Sequence, residues 1–320
     1  MVAVPMEQRS YTTGTKRFLA GCSILLISIS LYPLSPAPQI RPSIHARQVL
    51  EAYRRAYPDR IESVAWQNND WVIQIQGELF YWAQGRLLPE SHRERWQEYK
   101  PYVFYLYPDD APAPQNYTAE RIAELERIGS AEHQMNGPDH HNGFRSALYG
   151  GAKRGDVERN LVKVRFLGKT ISVHAMIQEQ VLRIDERIRG FAKTDSDVAQ
   201  FLTNLGSIGG YNWREIRGTS RISMHSFGLA IDIQPKRLGS KAIYWQWEAE
   251  RNPQWMLVSQ SNRWAPPEAV IKAFEAEGFV WGGKWDLYDQ MHFEYRPELH
   301  EISKLYMIFS TLQKYGIGGE

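Results

Sequence analysis

Two stretches of the sequence gather residue types that bind metals and move protons. Residues 223–235 read Ser-Met-His-Ser-Phe-Gly-Leu-Ala-Ile-Asp-Ile-Gln-Pro. Residues 281–296 read Trp-Gly-Gly-Lys-Trp-Asp-Leu-Tyr-Asp-Gln-Met-His-Phe-Glu-Tyr-Arg. Asp232 stands inside the apolar run Leu229-Ala230-Ile231-Asp232-Ile233, where a carboxylate is costly unless it is paired or holds a cation. His292 sits between Met291 and Phe293 in a similar setting. Together with His225 they offer two imidazoles and one carboxylate. That set suits zinc and leaves a fourth position open, where water becomes acidic near neutral pH or a carbonyl is polarised. Asp289 precedes His292 by three residues, one helical turn if the stretch is helical. A carboxylate there could take a proton from water at the open position and deliver it to a leaving amine.

Spacing alone leaves a second interpretation open, in which His225 caps a turn, Asp232 pairs with an arginine and His292 is a core histidine. Glu294 shares strand parity with His292, so it could orient that ligand or compete with Asp289 as base. Ser223 and Ser226 fit turn or ligand-supporting hydrogen bonds better than a nucleophile, because no His–acid relay is evident. Trp281 and Trp285 fit a cleft lining or core packing equally. Asp139-His140-His141 reads as a polar loop rather than a metal site, and Asp286 as solvent-facing.

The elements that must carry these residues are short strands mixed with helices, an α+β pattern. Helical spacing runs from His45 to Tyr57. Alternation marks strands over Ile61–Gln67 and Asp70–Gln84, and Thr118 N-caps a helix to Ile128. Beyond a polar Gly-Pro segment near 133–143, Leu161–Phe166 reads as a strand and Val173–Arg187 as an amphipathic helix. Ser207–Ile216 and Ser220–His225 read as paired strands around Gly218-Thr219. Leu229–Ile233 and His292–Tyr295 are further strands. Pro266-Pro267 opens a helix that Gly278 stops, and a terminal helix follows Pro297. The expected organisation is a leader or anchor over 1–36, an accessory region over 37–135 without a catalytic pattern, and a functional domain over 136–320.

The pattern Ser223-x-His225-x-x-Gly228-x-Ala230-x-Asp232, followed by Asp289-x-x-His292-Phe293-Glu294, resembles the M15 metallopeptidases over roughly residues 160–300. These include bacterial and phage D-alanyl-D-alanine carboxypeptidases and L-alanyl-D-glutamate endopeptidases. The resemblance implies a small antiparallel sheet with flanking helices of the Hedgehog/DD-peptidase kind. It implies zinc held by His225, Asp232 and His292, with Asp289 as base. It also implies an upstream arginine on the oxyanion, for which Arg214 fits best and Arg221 next, with Arg217 a third candidate. A guanidinium suits that role because it stays charged and planar. Ser223 and Trp285 are the expected substrate contacts. The expected substrate is a peptidoglycan stem peptide, met by a monomer and cut as a D-Ala-D-Ala carboxypeptidase. The alternatives are an L-Ala-D-Glu endopeptidase or an inactive zinc-containing wall-binding protein. A carboxypeptidase also needs a cation for the terminal carboxylate, and Lys284 or a spare arginine could supply it.

Composition narrows the setting. Among 320 residues, 38 Lys and Arg against 36 Asp and Glu give a net charge of +2, which provides no broad field for nucleic acid. The one cysteine, Cys22, lies in the N-terminal apolar stretch, which excludes disulfides, thiolate zinc sites and a Cys nucleophile in the body. Lys16 and Arg17 precede an apolar run from Phe18 to Leu34, so the segment is expected to direct the body out of the cytoplasm, as a cleaved leader or as a membrane anchor.

Overall fold

Apolar side chains at helical spacing build the first helix of the computed structural model, α1 (Ala46–Ala56), which buries Val49, Leu50, Ala52 and Tyr53. The structure describes residues 46–314 apart from 136, 152 and 215–221, and all of these belong to one unit. The expected leader or anchor over 18–34 lies outside the described residues. Among those described, no helix is long and apolar enough to cross a membrane.

An antiparallel meander follows, made of β1 (Ile61–Gln67), β2 (Asp70–Ile75), β3 (Glu78–Tyr81) and β4 (Leu88–Pro89) in that spatial order. The stretch 70–84 is therefore two strands, not one. Gln76 and Gly77 take φ values of 51° and 80°, the left-handed pair of a tight hairpin turn, and Asn68-Asn69 turn the preceding hairpin in the same way. Next come α2 (Ala119–Gly129), with Thr118 Oγ1 accepting from the Arg121 N–H, then α3 (Ala131–Met135), α4 (Gly143–Tyr149) and α5 (Arg154–Glu158).

The hairpin of β5 (Leu161–Phe166) and β6 (Lys169–His174) precedes α6 (Gln178–Phe191) and α7 (Ser196–Thr203). The helix expected from Val173 thus starts five residues later. Positive φ at Leu167 and Gly168 turns the chain back, and β-branched Ile171 and Val173 alternate inward as strand residues.

The sheet that carries the functional residues is antiparallel, in the order β7 (Leu205–Gly209), β8 (Ala230–Pro235), β10 (His292–Tyr295), β9 (Phe279–Trp281). The expected turn at Gly218-Thr219 lies outside the described residues, and of the expected pairing of Ser207–Ile216 with Ser220–His225 the described flanks show Asn212 N–H donating to His225 O and Ser223 N–H donating to Arg214 O, both at 3.1 Å. Strand β7 ends at Gly209 and pairs with β8, while His225 lies in a 3-10 turn. Helices α8 (Trp245–Ala249), α9 (Glu268–Glu275) and α10 (Pro297–Lys314) complete the chain. The mixture of helices and small antiparallel sheets agrees with the α+β expectation. Phe274 of α9 stacks on Phe293 of β10 at 3.9 Å, and α1 packs against α10. Val49 and Phe80 before residue 135 share one apolar core with Ile231 and Leu299 after it. A smaller cluster joins Leu125 and Ile128 of α2 to Trp245, Trp255 and Tyr288.

Candidate metal centre

His225, Asp232 and His292 converge although they come from three separate elements. Antiparallel register sets Asp232 of β8 directly opposite His292 of β10. His225 arrives from the turn Met224–Phe227, which Ser223 caps: its Oγ accepts the His225 N–H at 3.2 Å. Gly228 ends that turn at φ 68°, and a Cβ there would lie 2.7 Å from the His174 nitrogen, so the motif's glycine is required by both backbone and space.

One ligating atom from each of the three residues falls within 4.8 Å of the others, and among the described residues no other group of three metal-ligating types does so. His292 Nδ1 lies 2.9 Å and His225 Nε2 3.1 Å from Asp232 Oδ1. His225 Nε2 is buried and has no hydrogen-bond partner. The outward nitrogens are both engaged. His225 Nδ1 donates to Gly210 O at 2.7 Å, and His292 Nε2 donates to Glu294 Oε2 at 3.2 Å. With a cation between them, each imidazole would be held by its outward hydrogen bond in the tautomer that turns a lone pair inward, as metal-ligating histidines are. Burial works to raise the Asp232 carboxyl, but the imidazoles of His225 and His292 outweigh it and hold it well below the usual carboxylate range. Burial likewise works to lower His292, yet Asp232 and Glu294 drive it far above an ordinary histidine. A place that so favours a proton favours a cation, and two imidazoles with a carboxylate fit zinc.

Asp289 lies beside this cluster, in a loop rather than on a helix. Its carbonyl accepts the His292 N–H at 3.2 Å, which folds the short connection back on the ligand. Its Oδ1 is buried without a hydrogen-bond partner. Burial pushes the Asp289 carboxyl up to about 7, with His292 opposing and Asp232 adding to the shift. Arg214 reaches the same place, with Nη2 3.8 Å from Asp232 Oδ2, and its backbone is fixed by Ser226 Oγ, which accepts the Arg214 N–H at 2.8 Å. Arg217 and Arg221 lie outside the described residues. Trp285 sets its ring 5.5 Å from the His292 ring, while its Nε1 donates to Tyr105 OH at 2.8 Å. These groups, with Ser223, face a cleft of about 610 Å³.

Other candidates fall elsewhere. Trp281 is core, donating from Nε1 to Gln290 O at 2.9 Å. Asp286 is not solvent-facing. It is buried and ion-paired with Arg121 of α2, which opposes but does not cancel the burial that raises its carboxyl. Lys284 pairs with Glu275 at 2.8 Å and lies over the Tyr107 ring. Two contributors had no readable signal in the sequence. Gly210 orients His225 through a backbone carbonyl, and a Cβ on it would lie 2.3 Å from Ser172 O, so only the Gly209-Gly210 pair hints at a close approach. The cleft also takes Lys100, Val103, Tyr105 and Arg145 from the N-terminal side of the chain.

Residues 217–295 match the family described as D-alanyl-D-alanine carboxypeptidase, one of the M15 peptidases. This segment is similar to the M15 peptidases. It contains all three converging ligands and Asp289, and it supports a peptidase directed at cell-wall peptides. Residues 49–104 match a family described as a domain of unknown function. No curated protein and no solved structure matches the chain.

Proposed function

We propose that the chain is a zinc-dependent peptidase that hydrolyses a peptide bond in peptidoglycan stem peptides, acting as a D-alanyl-D-alanine carboxypeptidase. The observation that carries this reading is Asp289, a carboxylate with a buried, unpartnered oxygen, held beside three converging ligands in an open cleft.

His225, Asp232 and His292 would hold zinc, which when bound supplies Lewis acidity to polarise the scissile carbonyl and acidify water. The chain's own groups perform the rest. Asp289, with one buried oxygen unpartnered and its carboxyl raised toward neutrality, takes a proton from the attacking water and returns it to the departing amine. Arg214, fixed by Ser226 and facing Asp232, places a permanent positive charge where the oxyanion develops. Glu294 and Gly210 O keep the two imidazoles oriented. Trp285, anchored by Tyr105, forms an apolar side of the cleft that keeps the peptide close to His292. The fold is read as the Hedgehog/DD-peptidase kind over residues 136–320, with 37–135 as an accessory region. Residues 1–36 would direct the body out of the cytoplasm, where the wall lies.

The test is digestion of purified stem peptides. A pentapeptide ending in D-Ala-D-Ala should lose its terminal alanine, and a strong chelator should stop the reaction. Cleavage only at an internal L-Ala-D-Glu bond would replace the carboxypeptidase reading with the endopeptidase one. Absence of any peptide cleavage by the zinc-loaded chain would overturn both.

A further inference from the structure

Resting on that reading of the cleft, we propose that Arg145 binds a carboxylate of the peptide substrate, so that a wall built outside the M15 segment selects for an anionic peptide end. The cleft is composite. Its reactive side comes from residues after 217, whereas Lys100, Val103, Tyr105, His140 and Arg145 come from earlier in the chain. On the reactive side Arg214 already faces Asp232 and Arg296 already pairs with Glu294, so a substrate carboxylate needs a further cation of its own.

Among the described lining residues the arginines and lysines are Lys100, Arg145, Arg214 and Arg296. Arg296 is bound between Glu294 and Glu298. Arg214 lies 3.8 Å from Asp232 and is assigned to the oxyanion. Lys284, the lysine expected from the sequence, is held by Glu275. Arg145 makes no ion pair among the described residues. Its guanidinium lies 4.9 Å from the centre of the Tyr102 ring. Tyr102 is itself fixed, since its OH donates to His141 O at 2.7 Å and its ring stacks on His140 at 5.0 Å. The next residue back on α4, Phe144, is buried in the core and anchors the helix. Stacking on a locked ring restrains the guanidinium before any ligand arrives, which lowers the ordering cost of binding. Its planar fork matches a carboxylate with two parallel hydrogen bonds.

The experiment uses the full chain, loaded with zinc, as wild type, Arg145→Gln and Arg145→Lys. Three stem pentapeptides are compared: one with a free C-terminal carboxylate, one amidated there, and one amidated only at its internal carboxylates. With Arg145→Gln, KM for the free acid should rise about tenfold or more, with kcat little changed and KM for the terminal amide unmoved. Arg145→Lys, which keeps charge but not the fork, should fall between. If the variant's penalty disappears with the internally amidated peptide instead, the recognised carboxylate is internal rather than terminal. Equal shifts for acid and amide, or no shift for either, overturn the proposal. Calorimetric binding of acid and amide peptides to Asp289→Asn protein, with and without Arg145→Gln, makes the same comparison without turnover. Failure of peptide cleavage therefore counts against the proposed activity, while loss or persistence of the acid preference decides Arg145. Should Arg145→Gln fail to fold, Arg145→Lys carries the comparison alone.

Discussion

Glu294 Oε2 accepts a hydrogen bond at 3.2 Å from Nε2 of His292, on the side of the ring opposite Asp232. The pair fixes the His292 ring, and Glu294 is itself braced by Arg296 at 3.1 Å; with zinc bound as proposed, Glu294 would orient a ligand and strengthen it as a donor. Glu294→Gln should weaken zinc binding about 10- to 100-fold, measured by competition with a chelating dye. Hydrolysis should recover when zinc is raised to saturation. Activity that stays lost at saturating zinc would instead make Glu294 the base.

Asp289→Asn separates binding from chemistry. The substitution keeps the shape of a group that makes no hydrogen bond through its buried oxygen, so zinc content should be unchanged. The kcat should drop about 100-fold or more, the usual contribution of a placed general base. Wild-type turnover in this variant would remove Asp289 from the mechanism.

The pH profile should carry the signature of the same carboxyl. Burial pushes Asp289 up to about 7 in the metal-free chain, and a divalent cation beside it draws it down. The base works deprotonated, so kcat/KM should rise with pH along a limb between the ordinary carboxylate value of about 4 and 7. That limb should be missing from the residual rate of Asp289→Asn. A rate that falls as pH rises through this window contradicts the assignment.

The convergence of His225, Asp232 and His292 was legible in part: Asp232 and His292 are costly residue types in apolar runs, while His225 and Asp289 stand out only because their spacing resembles the M15 pattern. What assembles them was not legible. The opposition of Asp232 to His292 depends on strand register between positions 60 residues apart, which no local pattern encodes. Asp286 reads as a surface acid because its partner, Arg121, is 165 residues away. Val173 reads as helical because its apolar neighbours satisfy both periods, and only the Leu167-Gly168 turn decides for strand. The N-terminal wall of the cleft carried no signal, since Arg145 and Tyr102 become a pair only when α4 docks on the preceding loop.

A buried ionic chain ties the centre to the first helix. Arg296 bridges Glu294 and Glu298, and the fully buried Glu298 accepts from Tyr57 OH at 2.9 Å. Removing one partner leaves buried charge uncompensated. Glu298→Ala should cost about 3–5 kcal/mol, read as a drop of several degrees in Tm, whether zinc is present or not. An unchanged Tm would show that the chain contributes nothing to stability.

The most direct measurement is the metal content of the purified chain, by elemental mass spectrometry, for wild type, His225→Ala and His292→Ala, alongside stem-peptide hydrolysis. Wild type should carry stoichiometric zinc, both variants should lose it with activity, and hydrolysis by wild type should stop in a strong chelator and return when zinc is restored. A wild-type chain without stoichiometric zinc that goes on cleaving peptide in the chelator would contradict the metal centre itself.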